Sequence, residues 1–136
     1  MISTMPSTEN TTPSLCGSEA LQLLQKISTW GNTTTIVLHG GCVFEFKGHF
    51  PKGEIAEGYY NLKGESGFEG HIKLDNISEI ILQSKNHRGR ESHAFVFIDK
   101  AGDVIFKIFL GRDEQGRLLL HQLREFEQIK NCVCTQ

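Results

Sequence analysis

The chain has 136 residues, with 14 basic and 16 acidic side chains and a formal net charge of −2. This length suits one domain with one hydrophobic core. The balanced charge gives no electrostatic reason to expect nucleic acid or an anionic membrane as a partner. No apolar run is long enough to span a bilayer, and the first residues lack the features of a signal peptide. We therefore expect a cytoplasmic protein with a disordered leader over residues 1–14 and a single domain over residues 15–136.

The first half of the chain predicts one helix followed by strands. Ser18 can cap a helix that has apolar residues at helical spacing on one face: Leu21, Leu24 and Ile27. A β-branched run over residues 33–37 predicts a strand, and Gly40 and Gly41 predict a tight turn after it. In the returning strand, Phe44 and Phe46 alternate with polar residues, which indicates a hairpin with an aromatic inner face. Residues 48–58 are predicted to form a loop.

The second half predicts further strands and a closing helix. A short strand is expected at residues 59–62, an alternating strand at 68–74 and another at 77–83. Residues 84–92 are rich in basic side chains and predict an exposed turn. Two long, largely buried strands follow at 93–99 and 104–110. Apolar residues then mark an amphipathic C-terminal helix: Leu119, Leu123 and Phe126.

This order of elements predicts an α+β fold with a large, mostly antiparallel sheet of roughly seven strands and with N- and C-terminal helices. The strands are joined by short glycine-containing turns. Parallel crossovers need a dozen or more residues, so these connections require antiparallel neighbours.

Motifs of catalysis are missing from the sequence. It contains no Gly-x-Gly-x-x-Gly loop, no phosphate-binding lysine after a glycine loop and no Gly-x-Ser-x-Gly string. Its acidic residues are scattered rather than paired on a predicted buried face. The four cysteines are expected to be reduced thiols, because no secretion signal is present. We therefore expect a protein that binds a ligand and is not an enzyme.

Histidine and tyrosine supply the candidate donors for such a ligand. His39 ends a predicted strand, where a surface role is the plain alternative. His71 lies on the polar face of an alternating strand, where simple solvation is the alternative. Tyr59 and Tyr60 are adjacent and must face opposite sides of their strand, so one is expected in the core while the other offers its hydroxyl to a site. Phenolate oxygen is a known ligand of haem iron.

The composition also suits a flat, apolar and anionic ligand. The predicted sheet is rich in aromatic residues, since the chain contains nine phenylalanines. Basic residues near the predicted edges could meet anionic groups: Lys85, Arg88, Arg90 and Arg112. Arg90 is the candidate contact chosen among them. Haem needs these features: an apolar slot, an axial nitrogen or oxygen ligand, and cations near its propionates. Other ligands share the same requirements.

Particular strings give a more specific indication. They resemble those of the bacterial cytosolic haem-utilisation carriers of the HutX/HuvX/ChuX type, over about residues 20–126. The Gly58-Tyr-Tyr-Asn-Leu62 and Lys107-Ile-Phe-Leu-Gly-Arg-Asp113 strings are the most specific. The others are Thr34-Thr-Ile-Val-Leu-His39, Phe44-Glu-Phe-Lys-Gly48 and Gly70-His-Ile72.

The resemblance implies a homodimer that binds haem b and passes it to a downstream haem-processing protein for use, storage or degradation. The two sheets of the dimer would join into one surface, and each chain would resemble half of the larger two-repeat haem-handling proteins. His39 and His71 match positions where members carry histidines implicated in haem binding, and Tyr59 or Tyr60 matches the family's tyrosine. His71, His39 and Tyr60 are therefore the candidate axial ligands of the haem iron.

One segment departs from the family pattern. Residues 85–90 are basic and polar, whereas relatives tend to carry a more apolar Phe-Met-Gly element there. Two other functions stay open at this point. One is a haem-degrading or reductase-like enzyme, and the other is a structural or regulatory dimer whose haem site has decayed.

Overall fold

The computed structural model describes residues 12–65 and 67–134. Within them the chain forms nine strands and two α-helices. The strands are β1 Ser14–Cys16, β2 Asn32–His39, β3 Cys42–His49, β4 Lys52–Ala56, β5 Tyr59–Lys63, β6 Gly70–Ile72, β7 Ile77–His87, β8 Arg90–Asp99 and β9 Val104–Leu110. The helices are α1 Ala20–Ile27 and α2 Leu120–Cys134. Most of the predicted leader lies outside the described residues, and its last residue, Ser14, begins β1.

The strands form two antiparallel sheets. The larger sheet has the order β1-β7-β8-β9-β2-β3, and the smaller sheet has the order β4-β5-β6. Every strand pairing in both sheets is antiparallel. The tight β2–β3 turn contains Gly40 and Gly41, whose φ angles of 60° and 81° favour glycine. The predicted α+β class with a large antiparallel sheet is confirmed.

Helices α1 and α2 pack on one face of the larger sheet, which we call the inner face. Phe126 of α2 lies with its ring centroid 5.0 Å from that of Phe95 on β8. Leu24 and Ile27 of α1 belong to the same buried cluster. Strand alternation places Thr33, Thr35, Phe95 and Ile108 on the inner face and Thr34, Ile36, Lys107 and Phe109 on the opposite, outer face.

A buried glutamine joins α2 to the ends of two strands. The Gln122 Oε1 atom accepts a hydrogen bond of 2.7 Å from the Gly111 backbone N–H. Its Nε2 atom donates to the carbonyls of Trp30 at 3.1 Å and Asn32 at 2.8 Å. Gln122 thereby satisfies three backbone groups where β9 ends and β2 begins, in a region that excludes water.

Three predicted boundaries were wrong, and each error has a physical cause. The predicted loop over residues 48–58 contains strand β4, whose mostly exposed residues show no apolar alternation. The predicted turn over residues 84–92 is instead the end of the long β7–β8 hairpin, with Arg88 and Gly89 at its tip. The exposed side chains at this end lack apolar periodicity while the backbone still pairs. The predicted strand over 68–74 is only Gly70–Ile72. The described residues form nine strands instead of roughly seven because β1 and β4 were not predicted.

The aromatic residues of β3 lie on the inner face as predicted, since Phe46 pairs with Thr35, but they are only partly buried. Phe44 is 51% exposed and Phe46 is 41% exposed. Both lie on β3, which is an edge strand of the larger sheet. Phe46 is covered in part by Phe68, whose ring stacks on it with centroids 4.6 Å apart. The alternation was read correctly, but an edge strand has too few neighbours to bury its apolar side chains.

Candidate functional site

The smaller sheet has one buried and one exposed face, and β5 supplies a tyrosine to each. Tyr60 is 1% exposed and belongs to the hydrophobic core, whereas Tyr59 is 40% exposed. The register pairs Tyr60 with Ile72 and Asn61 with His71 on β6. Tyr59, Asn61 and His71 therefore share the exposed face, which we call the Tyr59–His71 face. The prediction that one tyrosine packs in the core while its neighbour is presented outward is confirmed.

Asn61 holds the imidazole of His71 through a short hydrogen bond. The distance between His71 Nδ1 and Asn61 Oδ1 is 2.6 Å. The Asn61 amide nitrogen points the other way and donates to three carbonyls, those of Glu54, Ala56 and Tyr59, at 3.1–3.2 Å. These carbonyls flank the β4–β5 turn. Because the amide nitrogen is occupied there, its oxygen must face His71.

This arrangement fixes the tautomer of the neutral imidazole. An amide oxygen only accepts hydrogen bonds, so His71 Nδ1 must carry the proton and donate it. The lone pair of the neutral ring is then on Nε2. Histidines that bind metals usually have this arrangement, with the other ring N–H donated to an oxygen that orients the ring. The side chain of His71 is exposed, so Nε2 is accessible to a ligand.

Tyr59 lies beside the same imidazole. The two ring centroids are 6.1 Å apart with an interplanar angle of 69°, which is an edge-to-face arrangement. The pair offers one neutral nitrogen donor, one phenol group and an aromatic edge on an accessible surface. Such a surface can bind one side of a planar metal complex and supply a single axial ligand.

Tyr60 is in a different situation. Its side chain is buried against the backbone of Gly53, where an added Cβ would come within 2.7 Å of the Tyr60 ring. Burial raises the pKa of the Tyr60 phenol, although a backbone hydrogen bond from Gly53 acts in the opposite direction. Ligation of ferric iron uses the phenolate, so burial disfavours the form of Tyr60 that would be needed.

The remaining predicted site residues lie in the larger sheet. His39 is exposed at the end of β2, where it pairs across the hairpin with Cys42. Arg90 begins β8 and donates to the Gly116 carbonyl at 3.1 Å. The structure therefore brings His71 and Tyr59 together, and it places His39 and Arg90 on other elements. Sequence reasoning did not identify Asn61 as the hydrogen-bond partner of His71, although the string that contains it was singled out.

Two further observations concern metal-ligand clusters and membrane-spanning helices. Within residues 12–65 and 67–134, no group of three or more His, Cys, Asp or Glu side chains is arranged to hold a metal ion. Neither described helix has the length and apolar character needed to cross a membrane.

Together the fold and the Tyr59–His71 face define an α+β domain that presents an exposed and oriented histidine on its smaller sheet. The family described as "Haem utilisation ChuX/HutX" matches residues 14–129. The chain belongs to this family, as its sequence strings predicted.

Individual relatives agree with this assignment. "Intracellular heme transport protein HutX" of Vibrio cholerae serotype O1 is 47% identical over 115 residues, which are 84% of this chain and 60% of that protein. This chain thus matches about three fifths of the relative's length. The crystal structure of ChuX is 32% identical, with a TM-score of 0.84, and the match covers 94% of this chain and 81% of that chain.

A more distant similarity concerns the fold alone. The heme degrading enzyme ChuS of Escherichia coli O157:H7 is 19% identical with a TM-score of 0.72. The match covers 86% of this chain but only 35% of ChuS. The same fold thus occurs as one part of a larger protein, and at this identity the likeness carries no information about activity.

Proposed function

We propose that this chain binds haem b in the cytoplasm and carries it to a downstream haem-processing protein. Membership of the haem-utilisation family and the 47% identity to a protein named for intracellular heme transport support this function. The observation in the structure that supports it best is the accessible Nε2 atom of His71, whose partner Nδ1 is held by Asn61 at 2.6 Å. Neutral imidazole is a common axial ligand of haem iron.

His71 is our first choice among the three proposed axial ligands. It is exposed and its ring is already oriented, so little conformational freedom is lost when iron binds. His39 is also exposed, but the structure gives its ring no comparable hydrogen bond. Tyr60 would have to leave the core before it could reach a ligand. We assign Tyr59 to contact with the edge of the porphyrin ring. Arg90 begins β8 in the larger sheet, so its expected role toward a haem carboxylate is separate from the Tyr59–His71 face.

We also propose that the working form is a homodimer. The β2–β3 hairpin exposes four large apolar side chains: Leu38, Val43, Phe44 and Phe46. Strand β3 is in addition an edge strand with unpaired backbone groups along one side. A second copy would cover the apolar side chains and pair the edge, as the family resemblance implies. Light scattering should give a molar mass of twice that of the chain. Val43→Lys places a charge among the exposed apolar side chains, so the measured mass should shift toward that of the monomer.

A haemin titration tests the proposed ligand. The purified protein should give a saturable shift of the Soret band, and His71→Ala should weaken binding and change the spectrum. His39→Ala and Tyr60→Phe should keep the wild-type spectrum, and so should the matched control His49→Ala, which removes another exposed histidine. A titration without a saturable shift contradicts the function, and a wild-type spectrum for His71→Ala contradicts the ligand.

The same samples separate a carrier from a haem-degrading enzyme. When a reductant and oxygen are supplied, a carrier should keep its Soret band apart from the change due to reduction of the iron. Loss of the band together with release of iron would show instead that the bound macrocycle is opened.

A further inference from the structure

A second candidate site lies on the outer face of the larger sheet. Two adjoining cavities of about 560 and 380 Å³ open there. They share four lining residues: Arg90, Ser92, Phe109 and Arg112. These volumes fall in the range of small-molecule sites. The smaller cavity is bounded by side chains of β7, β8 and β9, and the larger one reaches β2 and β3.

The two arginines that line both cavities donate hydrogen bonds to the same carbonyl oxygen. Arg90 donates to the Gly116 carbonyl at 3.1 Å, and Arg112 donates to the same oxygen at 3.0 Å. Because both bonds end on one atom, the two donor nitrogens lie within about 6 Å of each other. Arg112 is further held by donation to the Glu91 carbonyl. Two guanidinium groups at this spacing can both contact one oxyanion.

This pair of like charges has no carboxylate partner in direct contact. Among the described residues, the salt bridges are formed by other cations, and neither Arg90 nor Arg112 takes part in one. Burial and the neighbouring Arg90 lower the pKa of the Arg112 guanidinium, and the more distant Glu91 carboxylate acts in the opposite direction. An anion between the two groups would remove their repulsion.

The surroundings specify the chemistry of that anion. Lys47, Lys85 and Lys107 also line the cavities, whereas Glu45 is the one acidic residue among the described lining residues. This excess of positive charge occurs on a chain whose formal net charge is −2. Apolar side chains complete the walls, among them Ile36 and Phe109. A basic rim on an apolar wall suits an organic carboxylate better than an inorganic ion, which would leave the apolar surface uncovered.

We propose that Arg90 and Arg112 form a binding site for the carboxylate of an apolar ligand. The carboxylate can come from a haem propionate or from a free aliphatic acid. The first source rests on the proposed haem function, and the second is independent of it. The pair of guanidinium groups binds the carboxylate oxygens, and the apolar wall contacts the carbon skeleton.

Iron-free protoporphyrin and hexanoate are the probes that test this site. Protoporphyrin has both propionates but no iron, so its binding does not depend on an axial ligand. Its dimethyl ester and methyl hexanoate are matched controls that lack the charge. Binding is followed by porphyrin fluorescence and, for hexanoate, by calorimetry. Arg112→Gln and Arg90→Gln should each weaken binding of the affected acid about tenfold. Arg124→Gln, which removes an exposed arginine of α2, should not.

The pattern of losses identifies the source of the carboxylate. If the arginine variants lose affinity for protoporphyrin but not for its dimethyl ester, the site binds haem propionates. If they lose affinity for hexanoate alone, the site binds a free acid. Equal losses for acids and esters, or no loss with either arginine variant, would overturn the proposal. Arg90→Gln keeps the test valid if Arg112→Gln disturbs folding, since Arg90 is exposed and its charge can be removed alone. Loss of haemin binding in His71→Ala with intact protoporphyrin binding would separate this site from the iron ligand.

Discussion

Asn61→Leu is the substitution that tests most directly how the Tyr59–His71 face works. It removes the acceptor of the 2.6 Å bond from His71 Nδ1, and the tautomer of the imidazole is then no longer fixed. One hydrogen bond contributes about 1 kcal/mol, which corresponds to about a fivefold change in affinity. Loss of a group that orients a metal-binding histidine typically costs about 10- to 100-fold. We expect haemin affinity to fall about tenfold in equilibrium titrations, and the ¹⁵N shifts of His71 in the haem-free protein to show mixed tautomers.

Asn61→Asp is the control for the second role of this residue. The Asn61 amide nitrogen donates to three carbonyls around the β4–β5 turn, so both substitutions should weaken the smaller sheet. Aspartate keeps an oxygen for His71 but loses those donors. Haemin affinity should therefore be largely retained in Asn61→Asp, even where its thermal stability falls as much as that of Asn61→Leu. Equal haemin affinities in Asn61→Leu and the wild type, or equal losses in both variants, would refute the role of Asn61 as an orienting group.

Three other substitutions test the framework by urea unfolding. Gln122→Leu removes the side-chain partner of the Gly111 N–H and of the Asn32 carbonyl, at about 1–3 kcal/mol each, while the Trp30 carbonyl keeps its contact of 2.8 Å with His121 Nε2. The unfolding free energy should therefore fall by about 2 kcal/mol or more, and a loss below about 1 kcal/mol contradicts this. Gly53→Ala should lower the unfolding free energy by about 1–3 kcal/mol, because the new Cβ would lie 2.7 Å from the Tyr60 ring. An unchanged unfolding free energy would show that the ring is not confined. Backbone N–H donation from Arg117 is the largest of the effects that hold the pKa of Asp113 below its usual value of 3.8, so its carboxylate stabilises the folded state above the unfolded pKa. The stability difference between wild type and Asp113→Asn should be complete near neutral pH, decline as the pH falls below the usual value of 3.8 and be lost once the pH has passed the lower folded pKa. A difference that persists at still lower pH contradicts the assignment.

The sequence was sufficient where local periodicity determines the answer. A strand places consecutive side chains on opposite faces, so the adjacent tyrosines had to separate, and the structure buries Tyr60 while exposing Tyr59. Helical spacing likewise predicted that Leu24 and Ile27 face the core. Glycine turns too short for a parallel crossover determined the antiparallel arrangement. Each of these inferences needs only residues that are close in the chain.

The features that the sequence did not reveal depend on neighbours distant in the chain. Asn61 meets His71 because β5 and β6 pair in one register, and a shift of one residue would put them on opposite faces. Arg90 and Arg112 meet on the Gly116 carbonyl although they begin and follow different strands. The exposure of Phe44 follows from the position of β3 at a sheet edge, which depends on the order of all six strands. Periodicity within one strand contains no information of this kind.

The exposure of the Tyr59–His71 face favours transfer of a ligand over its chemical conversion. An enzyme that opens a macrocycle benefits from a closed pocket, where water is excluded and reactive intermediates are protected. His71 instead presents Nε2 on the surface of a small sheet, held by Asn61 rather than by a surrounding cavity. A recipient protein could approach the bound ring and supply its own ligand without opening the carrier. In the proposed carrier, the hydrogen bond that orients His71 would raise the affinity for iron, and the open surface would allow fast release.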